Sequence, residues 1–243
     1  MTINPRVLFV IPVFNESLVI ENFIKNLDLS FKEFSHTFIV VNDKSTDDSS
    51  QILSSMEKIF SLQLINNSIN LGHGGSLTKG LNHALSLNQD YIITLDGDAN
   101  FNSSEIKSLF DKLISDPTLD LIESFRVNRS EPIYRRIVSC LTKVIIFVKT
   151  GTLVKDPNTP LRLYTYNALN SILPFIPQKT LVPNLHVTMI SRRYKLKMIS
   201  MPVNWQNLKK GNPSSTWNFR SRIFPPLKFI TFCVKAFREF AKR

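Results

Sequence analysis

Cysteine is almost missing from this chain. Only Cys140 and Cys233 occur, with no Cys-x-x-Cys pair and no clustered Cys/His spacing, so neither a disulfide framework nor a structural zinc site is indicated and a reducing, cytoplasmic setting is expected. Long apolar runs are missing too. The longest, residues 137–148, is interrupted by Lys143 and falls short of the roughly 20 residues that span a bilayer, so no transmembrane helix is expected. The first residues pass straight into a strand-like run without a cleavage site, and export is not expected. Acidic residues run out along the chain: after Glu123 only Glu131, Asp156 and Glu239 remain. Residues 192–243 therefore carry 13 Lys/Arg against the single acid Glu239, a net +12 within a chain total of +11, which leaves the first 191 residues at −1. Such a tail suits phosphate-rich partners, nucleic acid or anionic lipid, or is simply a solvated surface. The lack of any recognised RNA- or DNA-binding motif argues against nucleic acid.

What is present is the material of one sizeable α/β domain: 243 residues, 43% of them hydrophobic. Strand-like runs at residues 7–11, 37–41, 62–65 and 91–95 alternate with helix-length segments, which predicts a mainly parallel sheet. Ser17 can cap a helix carrying Leu18, Ile20, Phe23, Ile24 and Leu27, Thr46 or Asp47 can cap a second, and Ser76 can begin a third. Beyond Asp98 the pattern predicts a helix over 103–114, a strand over 119–125, a basic helix over 134–148 and a last strand over 196–202. Pro157, Pro160, Pro174, Pro177 and Pro183 predict loops folded over a cleft.

Open α/β sheets bind ligands outside the carboxyl ends of their strands, and four motifs fall at those ends. The most informative is Asp96-Gly97-Asp98, delivered by the apolar run 91–95. Two carboxylates there suit Mg²⁺ or Mn²⁺, which take one or two carboxylates and fill their remaining positions with water and substrate phosphate. A bare pair of this kind can also be only a turn. Asn70-Leu71-Gly72-His73-Gly74-Gly75 offers glycines that let backbone amides approach a phosphate at a helix start, or is merely a turn. Asp43 reads equally as a ligand contact or as a turn and cap residue.

In that order the first hundred residues resemble the family 2 inverting glycosyltransferases of GT-A fold. That resemblance implies a Rossmann-like, mainly parallel central sheet flanked by helices, here with an amphipathic C-terminal helix added. It implies a catalytic domain over residues 1–224, divided into a nucleotide-sugar half at 1–100 and an acceptor half at 101–224; the charge and apolar pattern of residues 225–243 add the expectation of a basic membrane-associating tail. Pro12, Phe14, Asn15 and Glu16 match the family's opening Pro-x-Tyr/Phe-Asn-Glu turn near the nucleotide. Asp43 matches one aspartate of its second motif, with a role toward base or ribose, and Gly72, Gly74 and Gly75 match its phosphate turn. Asp96, Asp98 and Asn100 match its metal motif, with Asp98 as direct ligand, Asp96 toward the ribose or binding metal through water, and Asn100 adding a carbonyl oxygen.

A narrower resemblance, to polyprenyl-phosphate mannosyl- and glucosyltransferases, covers residues 156–162 and places Asp156 and Arg162 around the sugar and phosphate. Both can equally form an ordinary loop ion pair. Residues 209–214 loosely resemble a second loop of that subfamily. His186 reads as a metal ligand, a diphosphate contact, a general base or a structural histidine.

A sugar hydroxyl acceptor needs a base, whereas a lipid phosphate is already anionic and needs only positioning. With acids so scarce beyond Glu123, the hydroxyl route depends on Asp156 or His186. The expected reaction is therefore transfer from a GDP- or UDP-sugar to a polyprenyl phosphate on the cytosolic face of a membrane, with room for a membrane-protein partner. Extension of a lipid-linked or cell-surface polysaccharide is the runner-up, and a non-catalytic membrane- or nucleic-acid-binding module is the alternative of another class. Residues 227–243 form a two-faced helix, with Phe229, Ile230, Cys233, Val234, Phe237 and Phe240 largely on one side and Lys228, Lys235 and Lys242 on another. It is expected to lie on an anionic membrane, the alternative being packing on the protein's own core.

Overall fold

Seven of the eight residues of β1 (Arg6–Val13) are buried. A strand apolar at every position has to be covered on both faces, and this requirement sets a three-layer architecture. In the computed structural model, which describes residues 4–128, 132–206 and 225–241, β1 lies inside a seven-stranded sheet of order β3-β2-β1-β4-β6-β5-β7. The first half alternates as expected. Strands β2 (Ser35–Asn42), β3 (Leu62–Asn66) and β4 (Tyr91–Thr94) join β1 in parallel, with α1 (Ile20–Ser30), α2 (Ser49–Met56) and α3 (Gly72–Ser86) as crossovers.

The side-chain alternation of β1 divides the core. Phe9 and Ile11 face a layer containing α1, α2 and α4 (Ser103–Ser115), while Leu8 and Val10 face the layer of α3 and the later helices. Phe9 stacks on Phe38 at 4.9–5.0 Å centroid spacing shared with edge-on Phe31, which also meets Phe110 of α4 at 5.4 Å. Burying one such ring contributes about 1.5–3 kcal/mol relative to exposure, so this cluster fixes the spacing between sheet and helices beneath the site.

The second half departs from the sequence reading. Strand β5 (Leu121–Val127) and the basic helix α5 (Ile133–Thr150) are where the pattern put them, and β7 (Met198–Asn204) pairs in parallel with β5. The proline-rich stretch, however, is not all loop. It contains β6 (Arg162–Thr165), α6 (Tyr166–Ile172), a 3₁₀ turn (Leu173–Phe175) and α7 (Pro183–Arg193). Strand β6 inserts antiparallel between β4 and β5. Its four residues are too few to show periodicity, and Pro183 starts α7 because a first-turn residue needs no donor. Helix α3 begins at Gly72 rather than Ser76, since Gly72 takes a left-handed φ of 74° that turns the chain into the helix one turn earlier.

Helix α8 (Leu227–Ala241) forms, but it is not the detached membrane helix expected. Phe229 and Phe240 are buried against the body, and Glu239 accepts hydrogen bonds from Thr180 Oγ1 and the Leu181 amide at 3.0 Å. The aromatic side of the helix is satisfied by the protein's own core, so those rings cannot sit among acyl chains.

Candidate active site

Four strand ends are locked side by side by backbone hydrogen bonds beyond the sheet. The Asp43 amide donates to Val13 O at 2.8 Å, the Asn67 amide to Asn42 O at 2.9 Å, and the Gly97 amide to Pro12 O at 3.3 Å. This zipper brings all four sequence motifs to one edge. Gly97 is required by it: a Cβ there would lie 2.8 Å from Val13 Cγ2.

The turn after β1 is held by the turn after β2. Asn15, at φ 57°, accepts from the Thr46 amide at 2.8 Å and donates its own amide to Ser45 Oγ at 3.0 Å. The Glu16 amide donates to Ser49 Oγ at 2.8 Å and the Ser17 amide to Asp47 Oδ2 at 3.1 Å. Burial opposes ionisation of Asp47, but the bonds from Ser49 and Ser17 outweigh it and hold its carboxyl below the ordinary range. Pro12 is buried in the strand end, and Phe14, Asn15 and Glu16 are half-buried at this edge.

Asp43, matched to a base or ribose contact, also builds the edge through one carboxylate oxygen and its carbonyl. It is buried, and its Oδ1 accepts from the Leu71 amide at 2.7 Å and from Asn67 Nδ2 at 2.9 Å, while its carbonyl accepts from Asn70 Nδ2 at 3.1 Å. This oxygen ties the glycine turn to β2. The glycines also divide their roles. Gly72 supplies the left-handed φ, whereas a Cβ on Gly74 would meet the Thr180 carbonyl oxygen at 2.1 Å and one on Gly75 would meet Leu71 Cβ at 2.8 Å. Gly74 is thus demanded by close approach of the 180 segment. The N-terminus of α3, with its positive dipole end, remains at the edge beside Asp96: His73 Nδ1 lies 3.5 Å from Asp96 Oδ1.

Asp96 and Asp98 meet the test for a divalent cation. The buried Asp96 Oδ1 has no hydrogen-bond partner among the described residues. Desolvation, followed by the charge of Asp96, pushes the Asp98 carboxyl up to about 7, against opposing help from Asn100 and Arg126. Two crowded carboxylates are relieved by a cation. The two carboxylates would hold a hard divalent cation that draws its remaining oxygens from water and substrate. Asn100 does not present its oxygen as the sequence suggested. It donates through its side-chain amide to Asp98 Oδ2 and through its backbone amide to Oδ1 at 3.3 Å, orienting that carboxylate from a turn made tight by Ala99 at φ 58°.

The acceptor side rearranges the sequence expectations most. Asp156 pairs with Arg126 at the end of β5, not with Arg162: Nε reaches Oδ2 at 2.6 Å and Nη2 reaches Oδ1 at 2.9 Å. Because Arg126 also acts on Asp98, it links the candidate metal site to Asp156. Sequence reading missed Arg126, and the available signal was a lone cation one residue past the expected end of an apolar strand. Arg162 is fully buried, and its Nε and Nη1 have no hydrogen-bond partner among the described residues. Its Nη2 donates to Pro157 O at 3.0 Å and Thr188 Oγ1 at 2.7 Å and lies 3.6 Å from Glu123, which Arg192 also grips at 2.7 Å. His186 is likewise fully buried, its Nε2 3.1 Å from Glu239 on α8 and its ring against Phe240, so the structure places it in the packing of α8 rather than in the cleft. Residues 209–214 lie outside the described residues.

A sequence model described as glycosyl transferase family 2 matches residues 8–172, the stretch that contains every one of the four strand-end motifs. The chain belongs to that family. Among relatives of this glycosyltransferase, an uncharacterized protein of Methanocaldococcus jannaschii is 25% identical over 202 residues, 82% of this chain and 80% of the relative. The undecaprenyl-phosphate 4-deoxy-4-formamido-L-arabinose transferase of Klebsiella pneumoniae is 25% identical over 198 residues, 80% of this chain. The aligned region spans only 59% of that longer relative. In fold the glycosyltransferase matches glucosyl-3-phosphoglycerate synthase of Mycobacterium tuberculosis, solved with Mn²⁺, UDP and glucosyl-3-phosphoglycerate, at a TM-score of 0.69 over 98% of this chain and 79% of the other. At 16% identity this likeness speaks for the GT-A fold.

Proposed function

We propose that this glycosyltransferase moves a sugar from a nucleoside diphosphate sugar to a polyprenyl phosphate at an anionic membrane surface, inverting the anomeric carbon in a single displacement. The observation that carries the donor half is the crowded pair Asp96 and Asp98 at the end of β4, beside the N-terminus of α3. A divalent cation held by the two carboxylates would supply charge neutralisation to the departing diphosphate. The chain's own residues do the rest of the donor binding. The start of α3 offers amides and a positive dipole end to phosphate oxygens, Asp43 holds that start in place through the Leu71 amide, and the interlocked turns at Asn15 and Thr46 form the floor for the nucleoside.

The acceptor class follows from what the candidate bases are doing. Asp156 is neutralised by a bidentate guanidinium and His186 is buried against Glu239, so neither is set to take a proton from a sugar hydroxyl. An acceptor that arrives already ionised needs no such base. The names of the relatives that act on undecaprenyl phosphate support the same class. The test begins with the donor: UDP- and GDP-sugars are screened for Mn²⁺-dependent protection against thermal unfolding. The reading expects one nucleotide sugar to raise the midpoint only with metal present, and it fails if none does so.

A further inference from the structure

Helix α5 is apolar on the side that faces away from the protein. Ile133, Ile137, Leu141, Val144 and Val148 recur at spacings of four, four, three and four residues and are 48–77% exposed. At 3.6 residues per turn these positions fall on one continuous stripe, running nearly the full 18 residues, about 27 Å of helix. Its buried side is the sparser one, with Tyr134, Thr142 and Ile146 turned inward. A stripe of this length on water is far from the scattered single apolar residues of an ordinary surface.

Helix α8 extends the same surface. Tyr134 near the start of α5 meets Phe229 near the start of α8 at 5.4 Å, and Lys149 near the end of α5 donates to Phe240 O at 3.0 Å, so the two helices run side by side in the same direction. With Phe229 and Phe240 turned inward, Ile230 and Val234 of α8 are left 42% and 44% exposed.

The charge on these two helices selects what covers the stripe. Among the described residues α5 carries Arg135, Arg136 and Lys143 besides Lys149, which is turned to Phe240, and α8 carries Lys228, Lys235 and Arg238. Their one acid, Glu239, faces inward to Thr180, Leu181 and His186. A second copy of this chain docked on the stripe would set these cations against their own kind. An anionic lipid surface instead complements them and takes the apolar side chains into its acyl boundary. No helix among the described residues is long and apolar enough to cross a membrane, and α5 with its four cations is no exception.

We propose that α5, with the exposed edge of α8, is the membrane-contacting face of this protein, lying in the plane of an anionic bilayer with the stripe from Ile133 to Val148 inserted. This deepens the proposed function by naming the surface from which a lipid phosphate would be drawn, and it relocates membrane contact from the aromatic side of α8, which is used internally. It also places the contact on the β5 to β6 connection, the segment between Arg126 and Asp156, so that a seated helix and the acceptor side of the cleft belong to one stretch of chain.

The test uses the full chain with vesicles of phosphatidylglycerol or of phosphatidylcholine alone. Ile137→Asp/Val144→Asp alters two exposed positions and is expected to keep the wild-type circular dichroism and melting midpoint, yet to bind phosphatidylglycerol vesicles at least tenfold more weakly. Val144→Trp is the second variant: its emission should shift to the blue and be quenched by brominated acyl chains only when anionic vesicles are added. Wild-type binding by the double variant, or a Val144→Trp spectrum unmoved by vesicles, overturns the proposal. So does a concentration-dependent dimer that the double variant abolishes, because that assigns the stripe to a second copy. If α5 inserts but no lipid phosphate is ever glycosylated, the proposed function fails and this face stands. If lipid phosphate is glycosylated while the double variant binds vesicles like wild type, the reverse holds.

Discussion

Arg126 closes on Asp156 with both arms of its guanidinium, at 2.6 and 2.9 Å, and both side chains are about nine-tenths covered. An aspartate held this way is a poor proton acceptor, because every proton it takes has to displace a charge-assisted bond. We expect Asp156→Asn to leave the acid limb of the pH dependence of kcat where it is and to act on KM for the acceptor. Removing one partner of such a covered pair costs about 3–5 kcal/mol when it is fully buried and less here, so the variant should also melt earlier. Steady-state kinetics across pH check this; loss of the acid limb with KM unchanged would make Asp156 the base after all.

Arg162 was expected among the substrate contacts and is found beneath α7. Arg162→Met should lower thermal stability strongly, since Arg192 is then the one cation left against the buried Glu123 among the described residues, while the folded fraction binds nucleotide sugar with unchanged affinity. Chemical denaturation beside a binding titration separates the two. A large loss of donor affinity in a protein of wild-type stability would return Arg162 to the site.

Gly72 and Gly74 should respond to alanine in different degrees. Gly72→Ala meets no atom and costs only the left-handed backbone, about 1–2 kcal/mol. Gly74→Ala places a methyl on the Thr180 carbonyl, where only backbone movement can relieve it. We expect Gly74→Ala to be the more destabilising, and equal midpoints for the two variants would show that the 180 segment does not rest on α3.

Asp47 gives the acid dependence of the interlocked turns after β1 and β2. Its folded carboxyl titrates below the ordinary value, so its contribution to stability is fully present above the unfolded value and fades as pH falls through the lower, folded one. Asp47→Asn should flatten the acid side of the stability profile, by a modest amount because Asp47 is partly exposed. A variant profile parallel to wild type at low pH would deny the carboxylate that role.

The sequence was most readable where one strand or one turn contains the whole signal. β1 and β4 are unbroken apolar runs, and each ends in its own motif, so Pro12 to Glu16 and Asp96 to Asn100 could be placed at one sheet edge before any fold was known. Partnerships across the sheet were not readable. Whether Asp156 meets Arg162 or Arg126 depends on β6 inserting antiparallel beside β5, and β6 has only four residues in a proline-rich stretch. The same holds for α8. Its amphipathic pattern gave an apolar face but could not say that Phe240 would be buried against His186 while Ile230 and Val234 stay exposed.

Asp98→Asn tests the metal site from two directions. In chelator the variant should unfold no earlier than wild type, since burial and Asp96 both disfavour the charge that asparagine removes. Loss of several kcal/mol of charge stabilisation from the leaving diphosphate should cut metal-dependent turnover by at least about 100-fold. Wild-type turnover with the same metal dependence would exclude Asp98 as a ligand.

The central claim is tested most directly by incubating the full chain with Mn²⁺, the nucleotide sugar that protects it and a polyprenyl phosphate in phosphatidylglycerol vesicles, and reading the first-formed product by NMR. The account predicts a glycosyl phosphate lipid whose anomeric configuration is opposite to that of the donor. Transfer to a sugar hydroxyl with none to the lipid phosphate, or a glycosyl lipid that retains the donor configuration, would contradict it.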